Sequence, residues 1–141
     1  MLQALPAGLT LSTGGLISGS TTAAPGNYSV RFKATDTNEA SCVGFASYTL
    51  TVGCPSIVLG SLTPATGQTG VTYSATLSST GGTAPYLYGI TTGALPNGVS
   101  MSNSGVFSGT PNVMPGSYNF TVRSTDSLGC TATQAYTLTI S

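Results

Sequence analysis

Apolar and polar residues alternate in short runs along most of this chain. Thr72, Ser74 and Thr76 separate Val71, Tyr73, Ala75 and Leu77; Asn119 and Thr121 separate Tyr118, Phe120 and Val122; Thr137 and Thr139 separate Tyr136, Leu138 and Ile140. A period of two predicts strands that bury one face. Pro85 to Ile90 continues the pattern after the turn-like stretch STGGTAP (79–85). Gly and Pro clusters break the runs roughly every eight to twelve residues, and no stretch carries the 3.6 period of a helix. The segment 54–141 therefore predicts about seven short strands, the number and spacing of a two-sheet β-sandwich.

The chain also repeats itself. Residues 3–37 align with 93–127 at an offset of ninety, with thirteen of thirty-five positions identical. ALPAGLTLSTGGLISG (4–19) reads again as ALPNGVSMSNSGVFSG (94–109), and Tyr48-Thr49-Leu50-Thr51 returns as Tyr136-Thr137-Leu138-Thr139. The offset is then 88, and the slip falls between TDTNEASC and TDSLGC, where a hairpin loop absorbs an insertion. A fixed period of this length predicts an array of like units.

The first copy carries only the later strands: Leu9 and Leu11, Leu16-Ile17, Tyr28/Val30/Phe32 and Tyr48/Leu50/Val52. Counterparts of Ile57–Val58, Val71–Leu77 and Tyr86–Ile90 are expected to be missing from it. Burying a Leu, Ile or Phe contributes about 1.5–3 kcal/mol, so an uncovered sandwich face would consume the margin of a small domain. The expectation is that further strands complete residues 1–53, from a longer natural chain or from a neighbouring molecule. The first residues lack the basic start and apolar core of a signal peptide. With the split repeat, this is read as an excerpt whose Met1 is not a natural start.

Three motifs are specific: L-P-x-G-[LV]-x-[LM]-x-x-x-G-x-[IF]-S-G, then P-G-x-Y-x-[VF]-x-[FV]-x-[AS]-T-D, then Y-T-L-T-[VI]. Together they resemble an immunoglobulin-like, cadherin-like repeat family found in tandem in large bacterial surface and secreted proteins. The resemblance covers the second copy in full and the latter part of the first. It implies an all-β fold of tandem immunoglobulin-like β-sandwich domains, residues 1–53 and 54–141, the first incomplete at its N-terminal side. It also implies an extracellular or cell-surface setting and a spacer or adhesive role.

Composition narrows the partners. Only 4% of residues are charged, the net charge is zero, and Ser and Thr together number 43. Arg31, Lys33 and Arg123 are the only basic side chains. Nucleic acid and anionic membrane surfaces need clustered Lys and Arg, so neither is expected as a partner. Membrane insertion is not expected either, since no apolar run approaches the roughly 18–20 residues of a spanning helix. The expected partners are further repeats or neighbouring copies of the same protein, with glycans as a further possibility.

Of three cysteines, Cys42 and Cys130 occupy equivalent positions before the last strand of each copy. Cys42 does not readily reach Cys54, because the strand between them spans roughly 40 Å against the ~4.4–6.8 Å a disulfide requires between Cα atoms. In a sandwich, the hairpin before the last strand lies at the pole where the chain enters, which is also where Cys54 begins the second copy. The expected pair is Cys54–Cys130, with Cys42 unpaired or paired outside this chain. Three reduced thiols are the alternative. A disulfide would place the protein outside the cytosol.

Enzymatic readings find little support. There is no His, and the only side-chain carboxylates are Asp36, Glu39 and Asp126. Asp36 and Asp126 are repeat equivalents in different copies, read as local Asx bonds in turns rather than an acid/base pair. No catalytic residue, cofactor or metal is expected. Asp36, Asn38 and Glu39 form the best calcium cluster the sequence offers, short of the six to eight oxygens that ion takes. Tyr28 and Tyr118 read as core tyrosines whose hydroxyls cap a loop, with a sugar platform as the alternative; Tyr86 and Tyr88 read as core. Asn27 and Asn119 begin two N-x-[ST] sequons at non-equivalent positions, and Ser127 lies in Asp-Ser-Leu, a tripeptide resembling a bacterial O-glycosylation motif. All three are weak glycosylation candidates.

The sequence thus predicts a non-catalytic structural repeat of a bacterial extracellular fibre, stalk or large surface adhesin. Its rivals are a ligand- or glycan-binding adhesin module, an accessory module of a secreted enzyme, and a strand-swapped filament.

Overall fold

A computed structural model describes residues 4–141, so the expected first module, 1–53, begins with three residues outside the described ones. Among the described residues every regular element is a strand. The chain divides into two compact units, Met1–Cys54 and Pro55–Ser141, here called unit 1 and unit 2.

Unit 1 consists of two antiparallel hairpins. β1 (Leu9–Leu11) pairs with β2 (Ile17–Gly19), and β3 (Gly26–Thr35) with β4 (Val43–Val52). In the second hairpin, Gly26 opposes Val52 and Thr35 opposes Val43, so Val30 faces Tyr48 and Tyr28 faces Leu50 across the strands. Cross-strand partners share a face, and one apolar face results.

Unit 2 begins with β5 (Val58–Leu59), β6 (Thr66–Gly67), β7 (Tyr73–Thr76), β8 (Ser79–Thr80) and β9 (Leu87–Gly93). It continues with β10 (Val99–Met101), β11 (Val106–Gly109), β12 (Gly116–Thr125) and β13 (Thr131–Ile140). One sheet has the order β10-β11-β7, the other β6-β13-β12-β9, and β5 and β8 form a separate ribbon. β6 runs parallel to β13; the remaining pairs are antiparallel. The sheets meet over a core of Tyr73, Ala75, Leu77, Tyr88, Val99, Phe107, Phe120, Val122, Tyr136, Leu138 and Ile140, closed at one side by Leu59 and Leu62. Phe107 on β11 meets Phe120 on β12 at 5.8 Å between ring centroids, and Phe120 stacks on Tyr136 at 6.0 Å. This is an immunoglobulin-like β-sandwich, and tilted ring pairs of this kind stabilise beyond their buried area.

Two sequence expectations differ from the structure. Unit 2 has nine strands where about seven were expected, because β6 and β8 are two residues long and too short to show alternation. Val71, expected on the buried face with Tyr73, is 51% exposed. Its N–H bonds the carbonyl of Gln68 and Gly70 has φ +77°, so the chain is still turning there and β7 starts two residues later.

The same glycine lock closes both hairpins of the repeated motif. A Cβ on Gly109 (φ +135°) would run into the carbonyl oxygen of Gly98, and one on Gly98 (φ +92°) into that of Thr110; Gly19 and Gly8 stand in the same relation in unit 1. Gly109→Ala is therefore expected to destabilise unit 2 by more than the roughly 1–2 kcal/mol of a left-handed backbone alone, since backbone must also move. Gly129→Ala, at φ +86° with nothing near its Cβ, should cost only that conformational part. Urea melts of the two variants give the comparison.

Candidate functional site

Unit 1 repeats the last four strands of unit 2: β1 to β4 correspond to β10 to β13 at the sequence offsets of ninety and 88. Among the described residues it has no counterpart of β5 to β9. In unit 2 those strands supply Leu59, Tyr73, Ala75, Leu77 and Tyr88 to the core. In unit 1 their place is an open groove of about 1100 Å³ lined by Leu11, Ile17, Phe32, Tyr48 and Leu50 among others. The rings of Phe32 and Tyr48 are tilted by 51° to each other within it, 5.8 Å between centroids.

Equivalent residues measure what is missing. Tyr136 is 9% exposed, and its repeat partner Tyr48 is 58% exposed. Phe107, Val122 and Leu138 are fully buried, whereas Ile17, Phe32 and Leu50 in the same positions are half-buried. Val30 and Phe120 are buried in both. The Tyr136 hydroxyl donates to the carbonyl of Gly60 at 2.6 Å, and Gly60 belongs to the stretch without a unit 1 counterpart. Burial is the main force raising the Tyr136 pKa, with the charge of Tyr88 adding to it.

Two sheet edges border this groove. Among the described residues β12 pairs on both sides, with β13 and β9, while β3 pairs only with β4; β11 pairs with β10 and β7, while β2 pairs only with β1. Open edges present unpaired N–H and C=O groups to any incoming strand.

None of the remaining candidate residues lines the groove. Cys54 and Cys130 are the disulfide-bonded cysteines, as expected from the sandwich topology, and Cys42 is an exposed free thiol in the loop before β4. Asn27 and Asn119 are exposed on β3 and β12, where their side-chain oxygens accept hydrogen bonds from Thr51 (2.9 Å) and Thr137 (2.7 Å). Ser127 is exposed in the β12–β13 turn, its N–H bonded to the carbonyl of Thr83. Tyr28 and Tyr118 cap loops: each hydroxyl donates to a carbonyl four residues back, Ala24 at 2.6 Å and Met114 at 2.9 Å.

Asp36 accepts the N–H groups of Asn38 and Glu39, an Asx turn that aims a carboxylate oxygen at its own backbone. Among the described residues no group of three or more His, Cys, Asp or Glu is placed to hold a metal. Asp126 does more than its repeat partner. It is 5% exposed, accepts the N–H of Leu128 and Cys130 in its own turn, and reaches the N–H of Thr83 at 3.0 Å. The Thr83 N–H foremost, and those of Cys130, Leu128 and Gly129 behind it, hold its carboxyl below the ordinary carboxylate range against the opposing effect of burial.

Since the folded pKa lies below the unfolded value of about 3.9, the charged carboxylate stabilises unit 2 above that pH, and the contribution is lost as pH falls through the folded value. Unit 2 should thus melt at a lower temperature below about pH 4. Asp126→Asn should melt lower at neutral pH and show a smaller acid drop in a thermal scan across pH 2–7. Nothing in the local pattern of residues pointed to the Thr83 bond, nor to the hydroxyl chain in which Tyr88 donates to Ser79 and Ser79 to the fully buried Ser124, each at 3.0 Å.

No curated protein gives a significant sequence match. Among solved structures, the chain is similar to a crystal structure of a putative alpha-galactosidase from Bacteroides fragilis NCTC 9343, at 19% identity and a TM-score of 0.43. The match covers 58% of this chain and 17% of that one. A family model described as Putative Ig domain matches residues 2–53 and again residues 55–141, and the chain belongs to that family.

Proposed function

We propose that this chain is a non-catalytic structural module of a bacterial extracellular fibre, stalk or large adhesin built from like repeats. One observation carries the reading: what the two copies share is scaffold. The glycine lock (Gly8/Gly19 and Gly98/Gly109), the loop-capping tyrosines Tyr28 and Tyr118 and the turn aspartates Asp36 and Asp126 recur at equivalent positions. Each holds backbone. The disulfide-bonded Cys54 and Cys130 fit an oxidising compartment, and a surface hydrated by hydroxyls rather than charges suits a passive spacer.

The test is the mass and disulfide map of the native polypeptide in fractionated cells. Recovery from the surface or medium, in a polypeptide carrying more copies of the motif, supports the reading. A cytosolic chain with all three thiols reduced overturns it. A glycan array probed with the same polypeptide separates a spacer from an adhesin module.

A further inference from the structure

We infer that the groove of unit 1 is an acceptor site for a polypeptide segment with the strand pattern of residues 55–93, supplied from outside these 141 residues. The inference rests on the repeat reading above and adds the site, the occupant and the register.

The occupant is specified by unit 2. Its β7 and β9 lie on the two edges that are open in unit 1, and its Tyr73, Leu77 and Tyr88 fill the volume that is empty there. Carried across the repeat, the unit 2 pairings define the contact. Phe107 opposes Ala75, so Ile17 on β2 takes the residue equivalent to Ala75 on an antiparallel strand. Ser124 opposes Tyr88, so Ala34 on β3 takes the equivalent of Tyr88, again antiparallel. Ile140 opposes Gly67 in parallel, which places a short parallel strand beside Val52. The carbonyl equivalent to Gly60 would accept the Tyr48 hydroxyl. The segment that fits is therefore extended, uncharged where it enters the groove, and alternates large apolar with Ser and Thr. Main-chain bonds along the two edges would give affinity, and the pocket over Phe32 and Tyr48 would give specificity.

A second copy of this chain is a poorer donor. Its own Tyr73, Leu77 and Tyr88 are buried, Tyr73 donates to Pro64 at 2.5 Å and Tyr136 to Gly60. Withdrawing residues 55–93 to fill one groove would open an equivalent groove in the donor.

The experiment adds a synthetic peptide of residues 55–93 to the full chain with its disulfide intact and follows amide hydrogen exchange by mass spectrometry. The expected result is roughly tenfold or greater slowing of exchange in β2 and in the 30–35 stretch of β3, with unit 2 unchanged. A scrambled peptide should give none. Tyr48→Asp, a change at an exposed position of the groove wall, should abolish the protection and leave the melt of unit 2 as it was. Should the peptide prove insoluble, the same segment joined by a flexible linker ahead of Met1 must bring about the same protection in β2 and β3. Protection in unit 2 instead, none at all with either format, or protection of the groove that rises with chain concentration without peptide would each overturn the inference, the last by making a second copy the occupant. These readouts concern the groove alone. Their failure leaves the extracellular spacer reading standing, and a cytosolic, reduced native chain would sink that reading while leaving the groove result in place.

Discussion

Phe107→Ala is expected to destabilise unit 2 by about 3–5 kcal/mol, the cost of truncating a fully buried aromatic in a core that cannot close around the cavity. Phe107 has no exposure and its ring meets Phe120 across the two sheets, so the change removes the contact that joins them. Its repeat equivalent, Ile17, is half-buried at the mouth of an open groove. Ile17→Ala should cost unit 1 at most about half as much, because water already reaches the space a cavity would occupy. Urea melts of the full chain, read by amide signals assigned to each unit, give both numbers. Equal losses at the two positions would mean that the groove is closed in solution.

Removing the disulfide should be nearly as costly. Cys54 stands immediately before unit 2 and Cys130 just before its last strand, so their bond closes almost the whole unit into one loop. On the chain-entropy account a loop of this length stabilises by about 4–5 kcal/mol, and native disulfides in small domains typically contribute about 2–5 kcal/mol. Against a total of about 5–15 kcal/mol for a domain, that is a large fraction. Cys54→Ser is the cleaner variant, since Cys54 is exposed while Cys130 is buried. The expected outcome is a fall of the urea midpoint of unit 2 by roughly 1–3 M, reproduced in the unsubstituted chain by reductant. Reductant should leave the Cys54→Ser melt where it is. A reductant effect on that variant would trace to Cys42, the free thiol of unit 1, and would contradict the assignment.

The long hairpins were the most legible part of this protein. β3, β4, β12 and β13 each run ten residues, and the period of two over 118–123 and 136–140 could mean little else. The turns were legible for the same local reason: Gly and Pro clusters break the alternating runs, and Gly8, Gly15, Gly98 and Gly105 all take positive φ. The tyrosine caps, the Asx turns and the disulfide-bonded cysteines followed from local chemistry or from the order of strands in a sandwich. β6 and β8 were not legible, because two residues have no period. Nor was the bond from Asp126 to Thr83, which spans 43 residues, or the hydroxyl chain from Tyr88 through Ser79 to Ser124.

The stretch Tyr-Thr-Leu-Thr divides the two sources of information most sharply. It occurs twice, at 48–51 and 136–139, and by itself it determined a strand with Tyr and Leu on one face both times. It did not determine burial. Tyr136 lies under residues that β5 to β9 bring from up to some eighty positions away, and Tyr48 lies open to water. Alternation is a property of one strand and is written locally; the covering of its apolar face depends on which distant strands pack against it, and only the tertiary structure decides that.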